Sequence, residues 1–152
     1  RMRTDRGYSL VEIMVATAII ALLAAIAVPN LAGWRAKQRF GTAVSDVHDA
    51  IKVARSSAIK DNTTVVIQFQ LPNRFIVFAD DDGDGTQDSG ERTILTGGSQ
   101  NDITLTTSFS GHRLSFNGRG LTSASGVGVT LTNATYGSRV IQVTVTGNSR
   151  IL

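Results

Sequence analysis

Gly7-Tyr8-Ser9-Leu10-Val11-Glu12 leads directly into Ile13 to Val28, an apolar run broken only by Thr17. From Tyr8 to Leu31 the sole charge is Glu12. At about 1.5 Å of rise per residue, that stretch is long enough as a helix to cross roughly 30 Å of hydrocarbon. Arg1, Arg3 and Arg6 precede it, with Asp5 as the one acid among them. Positive flanks stay on the cytoplasmic side, so the pattern places the N-terminus inside and exports the rest.

Three devices share such a profile. A secretory signal would end in a small-residue cleavage site, and Ala24, Ala25 and Ala27 supply one. A plain anchor would need nothing more. Neither explains a carboxylate at the edge of a membrane segment, where charge is expensive and usually has a use. Pro29 cannot donate its backbone hydrogen bond and crowds the preceding turn, so it should bend or loosen the helix or mark the membrane exit.

Glycine, glutamate, apolar run and proline at this spacing resemble the signature of type IV prepilins. The resemblance implies cleavage between Gly7 and Tyr8 by a prepilin peptidase, and methylation of the new N-terminus at Tyr8. The family usually has Phe after the cut. Glu12 then falls at the fifth mature position, where the family's glutamate registers subunits, and Pro29 falls where many members carry a proline.

Beyond Leu31, Gly33-Trp34-Arg35-Ala36-Lys37-Gln38-Arg39 sets an aromatic and alternating bases at the membrane exit. Phe40, Val44, Val47, Ile51, Ala54 and Ala58 then recur at spacings of three and four. That is the apolar stripe of an amphipathic helix running to about Lys60. The sequence therefore divides into a leader (1–7), a membrane and filament-core helix (8–34) and a head (35–152). The head comprises the amphipathic half-helix (about 35–60) and a β-rich region (about 63–152).

Strand patterns occupy Thr63 to Leu71, Arg74 to Ala79, Ile103 to Thr107, Arg113 to Asn117, Val127 to Leu131 and Arg139 to Thr146. Leu71-Pro72-Asn73 joins the first two as a hairpin, and Asn117-Gly118 and Ser123 to Gly126 read as turns. The expected fold class is α+β and pilin-like, a long N-terminal helix packed against a C-terminal antiparallel sheet. Leu114 to Gly120, Val127 to Leu131 and Gly137 to Val143 resemble the head pattern of H-type pseudopilins and T-type minor pilins. The family's closing Gly-Arg is altered here to Gly147-Asn148-Ser149-Arg150.

Half of the chain's 12 acidic residues fall in one loop, Asp80-Asp81-Asp82-Gly83-Asp84-Gly85-Thr86-Gln87-Asp88-Ser89-Gly90-Glu91. Asp80, Asp82, Asp84, Thr86, Asp88 and Glu91 occupy the ligand positions of a twelve-residue calcium loop, with Gly85 at the turn. The sequence on either side does not supply an EF-hand's helices: Phe75 to Ala79 reads as a strand, and Arg92 to Leu95 is too short. The expectation is a structural Ca²⁺ between strands, against a solvated acidic hairpin tip.

The chain has no cysteine, which excludes disulfides, thiol nucleophiles and thiolate metal sites. Its 2 histidines, His48 and His112, have no convincing sequence partner, so no enzyme is expected. The leading reading is a minor pilin or pseudopilin of a type IV pilus or type II secretion pseudopilus. Its partners would be other subunits, the peptidase and an inner-membrane assembly platform. Two alternatives remain: a principal pilin, and a DNA-uptake pilin whose Arg113, Arg119, Arg139 and Arg150 contact phosphate.

Overall fold

The computed structural model describes residues 8–122, 124 and 127–152, excluding the side chains of residues 27–30 and 127. Gly7, part of the Ser123 to Gly126 turn and the Pro29 side chain therefore lie outside the described residues. Helix α1 covers Leu10–Asp61, with Glu12 in its first turn and Lys60 in its last. Its backbone continues through position 29. The chain divides at Gln38/Arg39 into two compact units.

In the first unit, the helical residues from Leu10 to Ile26 present their side chains to solvent on every side. Nothing in the sequence singles out one buried face here, because leucine, isoleucine, valine and alanine recur all round the helix.

In the second unit, one face of α1 buries Phe40, Ala43, Val44, Val47, Ala50, Ile51, Ala54 and Ala58. This is the stripe read from the sequence, widened by Ala43 and Ala50. Eight strands follow: β1 Thr64–Gln70, β2 Arg74–Asp80, β3 Thr93–Gly98, β4 Ile103–Thr107, β5 Arg113–Phe116, β6 Val127–Asn133, β7 Gly137–Val143 and β8 Ser149–Ile151. They form not one sheet but two, in the orders β3-β2-β1-β5 and β4-β6-β7-β8, with every pairing antiparallel.

Alternation decides which side chains enter the core. The first sheet contributes Val65, Ile67, Phe69, Phe75, Val77, Leu114 and Phe116, and the second contributes Ile103, Leu105, Val129, Leu131, Ile141 and Val143. Both sets join the helix stripe in one cluster, and all of its members lie at Phe40 or later. The head thus carries its complete core without the preceding helix. On the outer side of the second sheet, Thr104 faces Thr132 and Thr106 faces Thr130 across the strands.

The sequence reading placed six strands correctly in kind and missed two. Thr93 to Leu95 begins β3, and β8 lies where no strand was expected. The last long strand ends at Val143, because Thr144 to Asn148 forms a turn with Gly147 N donating to Thr144 O. Val127 to Leu131 extends instead to Asn133, whose side-chain oxygen accepts the Thr135 and Tyr136 amides of the next turn.

Phe116 is fully buried between the helix and the first sheet. Phe116→Ala should cost about 3–5 kcal/mol in chemical denaturation of the head, whereas Thr130→Ala on the outer face should stay within roughly 1 kcal/mol. Equal losses for the two would contradict the core assignment.

Candidate functional site

Tyr8 and Glu12 sit at the start of α1, and Tyr8 is 81% exposed. The first turn is closed by the Glu12 and Ile13 amides donating to Ser9 O, while Thr17 returns its hydroxyl to Ile13 O. Glu12 itself is exposed. Around it Leu10, Val11, Ile13, Met14 and Val15 are all more than half exposed. Among the described residues no single helix is long and apolar enough to cross a membrane. Leu10–Ile26 and Leu31–Asp61 meet that requirement only together, as a bent pair.

The acidic loop is built from the end of β2. Asp80 pairs with Thr64 across the sheet and is buried, with its carboxylate accepting the Gly83 amide. Asp82 accepts the Asp84 amide, and Asp84 accepts both the amide and the hydroxyl of Thr86. Carboxylate oxygens of Asp80, Asp82 and Asp84 lie within 4.8 Å of one another. Burial pushes the Asp80 carboxyl above its ordinary range, and the nearby Glu91 and Asp82 charges push in the same direction. The Thr86 hydroxyl holds the Asp84 carboxyl below that range.

Three of the expected ligands thus converge. The others are used differently in the loop. Glu91 accepts the Asp81 amide with one oxygen and the Asp88 amide with the other, so it closes the loop as an internal cap. Thr86 turns its hydroxyl to Asp84 while the ligand expected of it is its carbonyl, and the Asp88 side chain is outside the converging set. Three clustered carboxylates suit a hard, oxygen-seeking cation, but a six- to eight-oxygen shell would need further oxygens from backbone or water.

This loop also contacts the sheet. Val66 and Phe78 face each other across β1 and β2 on the side away from the main core, yet they are 1% and 0% exposed. Arg113, on β5 beyond β1, donates from Nη1 to Asp84 O, so the loop reaches across that outer face. Gln87 Nε2 donates to Thr93 Oγ1, and Arg92 pairs with Asp61 at the end of α1. The loop is thus tied to the face of the first sheet on which Val66 and Phe78 form a second, small apolar patch.

The four arginines considered for phosphate contacts are not gathered on one strand face. Arg113 faces the acidic loop. Arg119 is exposed in the turn where Asn117 Oδ1 accepts the Arg119 and Leu121 amides. Arg139 alternates in phase with the buried Ile141 and Val143, whereas Arg150 lies opposite Gln142 and donates to it from two nitrogens. Of the histidines, His48 contacts Ser149 O and His112 contacts Thr107.

Arg55, off the apolar stripe of α1, has a role that the helix pattern does not signal. It donates from Nε to Gly120 O and from Nη1 to Asn148 Oδ1, tying the β5–β6 turn and the β7–β8 turn to α1. Gly147 is required beside it: a Cβ there would sit 2.2 Å from Gly120 O and 2.8 Å from Arg55 Nε, and its φ is +76°. An arginine one turn from the apolar stripe, with Gly-Asn far along the chain, carries no local signal of this contact.

A family profile described as type II transport protein GspH matches residues 43–149, and one described as the prokaryotic N-terminal methylation motif matches residues 2–28. A fimbrial protein of Pseudomonas aeruginosa is 40% identical over 65 residues, 43% of this chain and 42% of that protein. The type IV wide pilus major component PilA4 of Thermus thermophilus is 34% identical over 62 residues, 41% of this chain and 47% of that protein. The chain therefore matches less than half the length of these curated relatives.

Among solved structures, the type IV minor pilin FimU of Pseudomonas aeruginosa superposes with a TM-score of 0.61 at 15% identity, covering 78% of this chain and 92% of that one. The minor pseudopilin EpsH from the type 2 secretion system of Vibrio cholerae gives 0.54 at 11% identity, covering 73% and 93%. These likenesses establish the pilin fold, a long helix with an antiparallel β head.

Arg55→Ala should lower head stability by about 1–3 kcal/mol in urea titration, because Gly120 O and Asn148 lose a charged donor together. Lys52→Ala, on the exposed Lys52–Asp49 pair of the same helix, should change it by less than about 1 kcal/mol.

Proposed function

The chain belongs to the type II transport protein GspH family, and from that premise we propose that it is a minor pilin or pseudopilin, a structural subunit of an envelope-spanning filament. One observation carries the reading. The large apolar side chains from Leu10 to Ile26 are uncovered, among them Leu10 at 75% and Ile26 at 76%, while the head has a complete core of its own. Such a helix needs lipid before assembly and neighbouring helices after it.

In this reading a prepilin peptidase cuts between Gly7 and Tyr8, and the new N-terminus at Tyr8 is methylated. The protein waits in the inner membrane with its N-terminus cytoplasmic and its head exported. Arg1, Arg3 and Arg6 before the apolar stretch support that orientation. An assembly platform then moves the subunit into the fibre. Glu12, one turn from the cut, pairs with a subunit N-terminal amine, a match worth more in apolar surroundings than in water. The role is architectural, so the working surface is a packed helix rather than a pocket.

We propose in addition that Asp80, Asp82 and Asp84 hold Ca²⁺ in a structural role. Their convergence supports this, as does the tie between the loop and the sheet face that carries Val66 and Phe78. A cation there would relieve carboxylate repulsion and fix the loop.

Glu12→Ala should reduce incorporation into sedimentable fibres at least about tenfold while leaving the head's melting temperature unchanged; incorporation at the normal level would end the registering role. Mass spectrometry of the fibre subunit should find a methylated Tyr8 N-terminus. Saturating Ca²⁺ should raise the head's melting temperature by several degrees relative to chelator, and Asp82→Asn with Asp84→Asn should remove that increment. Identical melting of the unmodified head with and without Ca²⁺ would dismiss the metal.

A further inference from the structure

The head is electrically two-sided. On the acidic loop, Asp81, Asp82, Asp84 and Asp88 are exposed, and none of them is in an ion pair among the described residues. Their charges are concentrated at the end of β2, where Arg113 hydrogen-bonds the Asp84 carbonyl and its charge acts on the Asp84 carboxylate without forming an ion pair. The other acids of this region are already engaged: Glu91 caps two amides, Asp61 pairs with Arg92, and Asp102 pairs with Arg39.

A cationic groove lies elsewhere, between α1 and the β7–β8 turn. It encloses about 450 Å³ and is lined by Lys52, Arg55, Ser56 and Ile59 of the helix and by Gly147 to Ser149 of the turn. Arg55 is held in place by its bonds to Gly120 O and Asn148, which leave its Nη2 without a hydrogen bond among the described residues. Lys52 shares only an exposed pair with Asp49, a contact weak enough for a new carboxylate to displace. Arg119 projects from the turn that supplies Gly120. Ile59 is 49% exposed and gives the groove an apolar wall.

We infer that the groove is a docking site for the acidic loop of a second copy of this chain. The carboxylate of Asp88 or Asp81, outside the converging set, enters between Lys52 and Arg55, and the pre-positioned guanidinium donates to it. The match is one of charge: the surface with exposed, unpaired carboxylates meets the surface where two cations line a cavity. The two surfaces are different parts of the head, so the contact is heterologous. The docked pair still offers one free groove and one free loop, and so does not close on itself as a symmetric dimer would. Such docking deepens the filament reading and rests on it for its purpose, yet it is detectable between heads in the absence of any fibre.

The absence of native cysteine makes the test direct. Ser56→Cys places a thiol in the groove and Ser89→Cys places one on the loop; both serines are exposed, and neither substitution removes a charge. Heads spanning residues 39–152, each with one of these changes, are mixed at high concentration under mild oxidation. The mixed disulfide should exceed, by about tenfold or more, that from Ser56→Cys paired with Thr135→Cys on a distant turn. It should fall to the control level in 1 M salt, where the screening length is about 3 Å. Lys52→Glu in the groove partner should abolish it, and Asp88→Lys in the loop partner, outside the converging carboxylates, should restore it.

Cross-linking no better than the control overturns the inference, even if full-length protein still forms fibres. Fibre failure with the cross-link intact would instead strike the filament reading. If duplex DNA shields Ser56→Cys from a thiol reagent while no Ser89→Cys cross-link forms, the groove belongs to phosphate and the docking inference is lost.

Discussion

The packing on which this molecule depends is the burial of a single helix face, Phe40 to Ala58, against two sheets that share no strand pairing. Neither four-stranded sheet could bury its inner face alone. The helix stripe joins both inner faces into one cluster, which is why its small residues matter as much as its large ones. Ala50, Ala54 and Ala58 are essentially inaccessible and let strand side chains such as Phe116 and Ile141 approach the helix. Replacing an alanine there with a larger residue would wedge the sheets apart rather than fill a void.

The same helix carries a second apolar region with no protein cover, and this difference was legible in the sequence. Residues 13–28 are apolar all round, whereas residues 40–58 are apolar only at spacings of three and four. Strands with clean alternation and turn signals were equally readable, and Ile103–Thr107 was found at its expected bounds. The partition into two sheets was not, because it is decided by pairings between distant segments such as Val65 with Phe116. β3 was hidden for a local reason: Thr-Ile-Leu-Thr-Gly-Gly has neither steady alternation nor bulky ends. Its Gly97 is there because a Cβ would meet the Phe75 ring at 2.3 Å. β8 is only 3 residues long and is recognisable from its pairing with β7.

The acidic loop shows how a motif can be read correctly as a pattern and incompletely as a structure. Spacing alone named Asp80, Asp82 and Asp84, and those carboxylates do converge. Spacing could not reveal that Glu91 spends both oxygens on backbone amides, or that Arg113 ties the loop to the sheet face carrying Phe78 and Val66. Both facts depend on where the backbone turns. They also explain why the loop keeps a defined shape despite its charge: its amides are satisfied by its own carboxylates, and Arg113 holds it to the sheet.

In the proposed filament, burial of the stalk and recognition by the head would contribute different things to assembly. Apolar packing is non-directional, and in lipid a leucine face gains little by exchanging acyl chains for another leucine face. A stalk rich in leucine, isoleucine, valine and alanine can hold subunits together without fixing their axial register, since sliding by one turn exchanges similar side chains. Register requires groups whose energy depends on position. The stalk offers one such group in Glu12, the sole charge between Tyr8 and Leu31. The head offers others in its separated acidic and cationic surfaces, whose attraction falls off with distance and salt. A subunit with a featureless apolar stalk and a polarised head divides cohesion from alignment, and each can be weakened by mutation without abolishing the other.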